Sequence, residues 1–515
     1  MAYHRCDLFA ATGRFSAGRR DRDSSGRNRE EVLRDAKPIF KILALLLIVL
    51  ALFMLPPVIL LGLENDPDLW AFLKSMAVVA VVSGSLLAWT WRTAVELKTR
   101  HMFILTTSSW AVISAFASLP LVLGAPQLSF TDAVFESVSA ITTTGSTVLS
   151  GIDNLSDGLK LWRGLMQWLG GIGIIVMAIA ILPFLKVGGM RLFQTESSDW
   201  SDKVLPRAGG IAKASTVIYL GLTLAAILSY RLAGMGTLDA IVHAMSSVST
   251  GGFANYDASF GIYHDRPLIL WLGCLFMLGG ALPFVLYIRL LRDSRGALWQ
   301  DQQVRGLVGL LFVVIATLTL YRVLAFSDAP FQALTDVAFN VISVVTTTGY
   351  ASADYTQWGP LAVTTFFFIT FVGGCSGSTS GGMKIFRFQI GGLLLANQLR
   401  YLVHPSGVFA QRYNGRPLND EVVRAVIAFS FFFFLTVAVL ALALAALGLD
   451  MVTAITGAAT ALANVGPGLG NTIGPAGNFA SLPDAAKWLL SLGMLMGRLE
   501  ILTVLVLMTP FFWRK

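Results

Sequence analysis

Short strings rich in glycine and threonine recur along this chain, and each of them follows an aspartate at a regular distance. A spacing of 13 residues separates Asp132 from Gly145, Asp239 from Gly252, and Asp336 from Gly349. The aligned strings read TTTGST, STGGFA and TTTGYA. A fourth, divergent string, ANVGPG, follows Asp450 with a spacing of 16 residues to Gly466. Repetition of this kind indicates one structural unit that occurs four times.

The chemistry of these strings suits a monovalent cation. About 12 residues between the aspartate and the string are too few to cross a bilayer, which predicts a re-entrant pore helix. An aspartate suits the positive end of such a helix, and the negative end then points toward the string. Four strings around one axis would offer rings of carbonyl oxygens, with glycines to turn the backbone inward. The alternative is that small residues only pack helices, which explains one run better than four.

The composition defines the setting of these units. Of the 515 residues, 55% are hydrophobic and only 13% are charged, so there are too few polar residues to cover the surfaces of several soluble domains. This composition predicts an all-α polytopic membrane protein. The net charge of +8 is expected to set topology, and we predict no nucleic-acid partner. The three cysteines, Cys6, Cys274 and Cys375, are too widely spaced to form a disulfide framework or a CxxC metal site.

The apolar segments predict ten membrane-spanning helices. Two of them, at about 42–61 and 69–91, form an N-terminal hairpin within residues 38–101. Each repeat then has a first span, a pore helix and a second span. The repeats are assigned to 102–200, 201–300, 301–415 and 416–515, after a polar tail at 1–37.

Positive charge orients the spans in the lipid bilayer. Lys and Arg cluster at 92–101, 186–213, 289–305 and 400–424, whereas the loops on the other side carry mainly aspartate. The positive-inside rule therefore predicts that both termini are cytoplasmic and that the four strings lie toward the outer side.

With one glycine per string, the four units resemble the Trk/Ktr/HKT superfamily of potassium transporters. The hairpin and the length are most similar to its bacterial membrane subunits, TrkH and TrkG, over residues 38–515. The resemblance implies a K⁺ selectivity filter, with K⁺ as the transported ion and no covalently bound cofactor. The implied filter residues are Thr143, Thr144, Gly145, Thr250, Gly251, Gly252, Thr347, Thr348, Gly349, Asn464, Val465 and Gly466.

The same resemblance implies further properties. In the superfamily, serine in place of the first filter glycine accompanies sodium preference, so Gly145 implies potassium. A homodimer in the bacterial cytoplasmic (inner) membrane is implied, together with a cytosolic nucleotide-binding regulatory subunit similar to TrkA. Because the chain has no Walker A string and no GxGxxG after a strand, the nucleotide would bind the partner. We expect that partner at the basic segments 186–213 and 400–424.

An arginine interrupts a regular feature of the second spans. Counting onward from each string gives Gly170-Gly171, Gly279-Gly280, Gly373-Gly374 and, in the fourth repeat, Gly497-Arg498. A charge in an apolar helix usually faces a cavity or a partner, so Arg498 is predicted to lie in the cation path below the filter and to limit flow. The alternative is a structural ion pair with Glu500 or Glu136.

The second span of repeat 3 is broken by ten residues, 373–382, that contain no good helix former. We predict a hinge or gate there, and the resemblance implies an intramembrane loop that blocks the pore. The gating residues of this loop would be Gly373, Gly374, Gly377, Gly381 and Gly382. A passive kink is the alternative. Lys384 and Arg387, just after it, are predicted to mark the cytoplasmic surface.

Two other function classes explain part of the sequence. The string Gly374-Cys375-Ser376-Gly377 matches the GxSG motif of rhomboid proteases, but His243, the one histidine in a membrane segment, is predicted on the opposite side from Ser376. An ion-coupled secondary transporter, a K⁺/H⁺ or K⁺/Na⁺ symporter, also uses broken helices. That class is built from paired inverted repeats rather than four parallel ones.

Overall fold

The computed structural model describes residues 24–95, 97–180, 208–292 and 296–513. The fold is helical, and the described residues contain only two short two-stranded sheets. Most of the polar tail, residues 1–23, and most of the basic segment 186–213 lie outside the described residues. The chain is an all-α polytopic membrane protein, as the composition predicts.

The N-terminal hairpin consists of α1 (Ser24–Phe53), α2 (Leu55–Glu64) and α3 (Leu69–Thr90). The first of its two spans breaks at Met54, where the following prolines, Pro56 and Pro57, cannot donate to the preceding turn. The turn between the spans is fixed to repeat 1 by Asp68, whose carboxylate accepts from Ala125 N at 2.6 Å and Ser156 Oγ at 2.7 Å.

The first spans of the four repeats are long apolar helices. They are α4 (Thr99–Ala117) with its short continuation α5 (Leu119–Leu123), α8 (Ala208–Leu232), α13 (Gln302–Phe326) and α17 (Asp420–Ala446). Each packs against the pore helix of its own repeat.

The four pore helices are short, as the spacing predicts. They are α6 (Phe130–Ile141), α9 (Thr237–Ser249), α14 (Pro330–Val345) and α18 (Met451–Ala463). The pore helices of repeats 1, 2 and 3 also contact the second span of the preceding repeat, with repeat 4 preceding repeat 1. The repeats are therefore arranged in chain order around a closed ring.

The second spans differ among the repeats. Repeat 1 has α7 (Asp157–Ala180). Repeat 2 has α10 (Pro267–Ala281) and α11 (Phe284–Arg292), bent by 94°, followed by the single turn α12 (Ala297–Gln300). Repeat 4 has the turn α19 (Gly470–Ile473), then α20 (Asp484–Arg498) and α21 (Ile501–Leu507), bent by 114°, and it ends in α22 (Pro510–Trp513).

In repeat 3 the second span is divided. Helix α15 (Pro360–Ile369) ends before the Gly/Ser segment, and α16 (Ile385–Val403) begins after it. The two ends of the segment pair in parallel as β1 (Val372–Gly373) and β2 (Met383–Lys384). Two strands after α16, β3 (Arg412–Tyr413) and β4 (Arg416–Pro417), form a hairpin.

Six helices within the described residues are long and apolar enough to cross a membrane, and the two bent pairs raise this number to eight. Ten spans were predicted, and the second spans of repeats 1 and 3 are the two that this criterion does not count. The described part of α7 carries Lys160 and Arg163, whose charges lower the hydropathy of this span. The span of repeat 3 is interrupted by its Gly/Ser loop, so neither of its helices is long enough alone.

Candidate functional site: a ring of four backbone turns

Each pore helix ends in the same backbone conformation. The residue two positions before each filter glycine adopts a left-handed φ, and the glycine itself has a larger positive φ. The left-handed residues are Thr143 (φ 53°), Thr250 (53°), Thr347 (57°) and Asn464 (55°), and the glycines are Gly145 (89°), Gly252 (83°), Gly349 (85°) and Gly466 (109°). A left-handed φ is uncommon for threonine. The fourth repeat adopts this conformation despite its divergent spacing.

The filter glycines contact one another's strands in cyclic order. A Cβ on Gly145 would lie 2.5 Å from Gly251 O of repeat 2, and a Cβ on Gly466 would lie 2.8 Å from Thr144 O of repeat 1. In the same way, a Cβ on Gly252 would overlap Thr348 O, and one on Gly349 would overlap Val465 O. Each glycine thus faces the carbonyl that precedes the glycine of the next repeat. The twelve predicted filter residues form four strands of one closed ring.

Side-chain oxygens surround this ring on one end. Thr142 and Thr144 share a hydroxyl contact of 2.7 Å, and Thr346 and Thr348 repeat it at 2.7 Å. Asn464 donates from Nδ2 to Thr144 Oγ1 at 2.9 Å and to Met494 O at 2.9 Å. Its Oδ1 is buried without a hydrogen-bond partner among the described residues, and so is the hydroxyl of Thr143.

On its other end the ring opens into a vestibule. The four filter glycines form its floor, and Ser146, Asp257 and Pro467 are among the residues of its wall. Ser146 directly follows the filter glycine of repeat 1 and donates to Gly466 O at 2.8 Å. Reasoning from the sequence missed this contact, although the hydroxyl next to Gly145 was a usable signal.

The four aspartates were predicted to lie at the N-terminal ends of the pore helices, and not all of them do. Asp450 caps α18 by accepting from Thr453 N at 3.0 Å, and Asp132 lies in the first turn of α6. The prediction is wrong for Asp336, because α14 begins at Pro330 and places this aspartate in the second helical turn. There it is buried and forms an ion pair with Arg322 at 3.2 Å.

The Gly/Ser loop of repeat 3 lies directly against the ends of the filter strands that are opposite the vestibule. Ser380 Oγ donates to Thr346 O at 2.6 Å, and Gly381 N donates to Thr347 Oγ1 at 2.7 Å. Thr379 Oγ1 donates to Gly280 O at 2.9 Å. The loop is buried and hydrogen-bonded to repeats 2 and 3, so it is a packed structure beneath the ring.

Arg498 lies beside this loop. Its Nη1 donates to Thr379 O at 2.7 Å, and its Nη2 lies 3.5 Å from Gly170 O. Among the described residues no carboxylate pairs with it, because Glu136 pairs with Arg163 at 3.0 Å and Glu500 with Arg387. The alternative, a structural ion pair of Arg498 with Glu500 or Glu136, is therefore wrong.

The glycine pairs of the second spans align in the structure differently from the alignment obtained by counting residues along the sequence. Gly170, Gly280 and Gly497 each face a pore-helix carbonyl of their own repeat, two residues before the left-handed position. The partner of Gly170 in repeat 2 is therefore Gly280 rather than Gly279, which shifts that alignment by one residue. The match of Gly497 with Gly170, and hence of Arg498 with Gly171, is unchanged.

Lys384 and Arg387 do not mark the cytoplasmic surface, and that prediction is wrong. Lys384 Nζ donates to Ser380 O and to Gly381 O within the loop. Arg387 is buried, pairs with Glu500 at 2.6 Å and stacks its guanidinium 3.6 Å from the centre of the Phe429 ring. Both charges are satisfied inside the protein, and a hydropathy pattern does not reveal this.

Replacing Arg387 with methionine is expected to lower the free energy of unfolding by about 3–5 kcal/mol, because Glu500 would stay buried without its partner. A lower midpoint of thermal unfolding in detergent would report this loss of stability. Arg305→Met, at an exposed arginine near the start of α13, is the matched control and should leave the midpoint unchanged. Equal midpoints for the two variants would contradict the importance of this pair.

The residues of the protease motif are not brought together as a catalytic pair. Ser376, within the loop, donates from its backbone N to Gln303 Oε1 at 2.8 Å. The Nδ1 of His243 lies 2.8 Å from Asp239 O in the pore helix of repeat 2, with the ring packed against Phe260. Each of the two has its own partner in a different part of the fold.

A hairpin on the predicted cytoplasmic side is tied to the helix that follows the loop. Its Asn414-Gly415 turn has two left-handed residues, as a tight hairpin requires. Tyr413 is buried and donates to Gln389 Oε1 of α16 at 2.6 Å, and Asn414 donates to Asp301 Oδ2 at 3.1 Å. Burial raises the pKa of the Asp301 carboxyl. The hairpin and α16 therefore form one connected unit.

Comparison with known proteins gives consistent matches along the chain. A sequence model of a family of cation transport proteins, TrkH, matches residues 69–515. The Trk system potassium uptake protein TrkI of Halomonas elongata is 68% identical over 487 residues, which cover 94% of this chain and 98% of that protein. The Trk system potassium uptake protein TrkH of Escherichia coli is 38% identical over 490 residues, covering 93% and 99%. The crystal structure of the potassium transporter TrkH from Vibrio parahaemolyticus superposes with a TM-score of 0.85 at 35% identity, covering 93% of this chain and 99% of that one.

Proposed function

The chain belongs to the TrkH family of cation transport proteins, and from this premise we propose that it takes up potassium across the bacterial cytoplasmic membrane. The observation that carries the proposal is the closed ring in which each filter glycine faces a carbonyl of the next repeat. Backbone oxygens in such a ring can replace the hydration shell of K⁺. The names of the similar proteins supply the ion, which the ring alone does not.

The ion path would run from the vestibule through the four strands to the level of the loop. The partnerless oxygens of Thr143 and Asn464 at the inner end are candidate ligands for a cation that leaves the filter. Below them, Thr379 and Arg498 would narrow the path and place a positive charge in it. We propose that the loop, with its five glycines, and Arg498 together form the gate.

Expression in a bacterial strain that lacks its own potassium uptake systems tests this function. The chain should restore growth at low external K⁺, whereas an empty vector should not. Growth that depends on added Na⁺ or on an inward H⁺ gradient rather than on K⁺ alone would favour the symport alternative. Absence of growth with a membrane-inserted chain, with and without a cytosolic partner, would contradict the proposal.

We further propose a homodimer that binds a cytosolic, nucleotide-binding regulatory subunit similar to TrkA, with both termini of the chain in the cytoplasm. The hairpin of β3 and β4 is a suitable docking point, because Tyr413 connects it to α16 and α16 directly follows the loop. A partner that moved the hairpin would thereby move one end of the gate. The basic segment 186–213 remains a second predicted docking segment.

A cross-linking experiment at the hairpin tests the partner. Arg412→Cys in a Cys6→Ser background should become the reactive position, because Cys274 and Cys375 are buried. We expect a thiol cross-linker at position 412 to capture a cytosolic nucleotide-binding protein in cells that contain one. Capture from the Cys6→Ser parent as well, or no capture from the Arg412→Cys chain, would count against docking at the hairpin.

A further inference from the structure

Two polar side chains of the repeat 1 second span are buried against the filter strand of repeat 2. Arg163 and Gln167 lie four residues apart on α7, so they share one helical face. Their exposed fractions are 1% and 0%. Buried polar groups in a membrane span are costly unless they are satisfied, which makes their partners informative.

Gln167 makes three hydrogen bonds to repeat 2. Its Nε2 donates to Gly251 O at 2.5 Å, and its Oε1 accepts from Ser246 Oγ at 2.7 Å and from Phe253 N at 3.1 Å. A carbonyl can only accept and a backbone N–H can only donate, so these partners fix the orientation of the amide. Gly251 O is the same oxygen that faces Gly145 in the ring.

Arg163 holds the next part of the same strand. Its Nη1 donates to Ala254 O at 2.9 Å, and its guanidinium lies 4.1 Å from the centre of the Phe253 ring. Its charge is balanced by the buried Glu136, which also accepts from Val148 N at 2.9 Å in the repeat 1 strand. The Arg163–Glu136 ion pair fixes the surroundings of Gln167, so the glutamine side chain is held in place.

The glutamine also fills a space that a side chain occupies in the other repeats. Repeat 2 has Gly251 where the other strings have Thr144, Thr348 and Val465. A Cβ on Gly251 would overlap the amide of Gln167. The alignment of Gly170 with Gly280 and Gly497 assigns Met277 and Met494 to the position of Gln167. Glutamine therefore occurs next to the strand that lacks a side chain, and methionine next to strands that have one.

We propose that Gln167 is a positioning residue that sets the ion discrimination of the filter by fixing the carbonyl of Gly251. This inference rests on the proposed function. Without the amide, Gly251 O and Phe253 N lose their partner, and the one strand without a side chain at this position can change its backbone orientation. A ring with one displaced carbonyl should hold K⁺ less well relative to Na⁺, whose smaller ionic radius needs closer oxygens.

The test is cation flux into liposomes that contain the purified chain, with K⁺ and Na⁺ gradients compared. Gln167→Met introduces the residue of repeats 2 and 4, has nearly the same length and is expected to lower the K⁺/Na⁺ flux ratio about tenfold. Met277→Leu changes the corresponding buried position of repeat 2 without touching the amide network, and it should leave the ratio unchanged. The thermal unfolding midpoint of Met277→Leu should stay close to that of the unsubstituted chain, whereas that of Gln167→Met should fall, because Gly251 O and Phe253 N stay buried without a partner.

A second variant separates positioning from general damage. Ser246→Ala removes one donor to the Gln167 amide and should lower the ratio by a smaller factor, with no further decrease when it is added to Gln167→Met. A discriminating parent chain with an unchanged ratio in Gln167→Met would overturn this inference alone. If Gln167→Met did not fold, an unchanged ratio in Ser246→Ala would overturn it. A parent chain that passes no cation would overturn the proposed function and this inference with it.

Discussion

Replacing Gly145 with serine is expected to lower the K⁺/Na⁺ flux ratio about tenfold, which corresponds to about 1.4 kcal/mol of discrimination. The new Cβ would lie 2.5 Å from Gly251 O and 3.4 Å from Thr348 O, so at least one ring carbonyl must move. The φ of +89° at this position adds backbone strain for any residue with a side chain. Liposome flux with K⁺ and Na⁺ gradients measures the ratio.

Gly151→Ser is the matched control for this substitution. Gly151 also belongs to repeat 1 and also has a positive φ, of 70°, but a Cβ there would meet nothing within 4 Å. It therefore reproduces the backbone strain without the contact with the ring. A ratio that fell equally in both variants would show that strain, and not the carbonyl ring, determines discrimination.

Replacing Arg498 with methionine is expected to raise K⁺ flux about tenfold. The guanidinium contacts Thr379 O of the loop at 2.7 Å and has no carboxylate partner among the described residues, so its charge opposes a cation nearby. Two unit charges 4 Å apart interact by about 4 kcal/mol at an effective dielectric constant of 20, which is more than a tenfold change in rate requires. Initial rates of K⁺ entry into liposomes measure the effect.

Arg498→Lys retains the charge and should stay close to the parent rate, which separates electrostatic from steric restriction. If methionine and lysine raised flux equally, bulk rather than charge would restrict the path. If neither variant changed flux, Arg498 would not belong to the gate, and the loop alone would have to account for restriction.

The spacing of the Asp and Gly residues predicted the four backbone turns well. The positive φ of the glycines is a local property that the strings TTTG and TGG indicate, whereas the left-handed φ of Thr143, Thr250 and Thr347 is not. Asn464 extends the pattern to the divergent fourth repeat, because asparagine tolerates a left-handed φ better than most residues do. The ring itself is a packing of four distant strands, and the repetition made it predictable.

The charged and polar side chains of the membrane interior were less predictable. Arg498 was recognised because it replaces a glycine of a repeated pair. Arg387 was assigned to the surface because its buried partner, Glu500, is 113 residues away and belongs to another repeat. Gln167 and Arg163 were missed for the same reason. Their partners in repeat 2 are more than 75 residues along the chain, and no local pattern connects them.

We propose that one chain forms a cation pore selective for potassium. The most direct measurement is the flux of K⁺, Rb⁺, Na⁺ and Li⁺ into liposomes that carry the purified, unsubstituted chain, with and without a cytosolic nucleotide-binding partner. We expect K⁺ and Rb⁺ to enter faster than Na⁺ and Li⁺, because the proposed filter would replace the hydration shell of K⁺, and Rb⁺ is close to K⁺ in size. Equal entry of all four ions would contradict a selective filter, and no entry under either condition would contradict the pore.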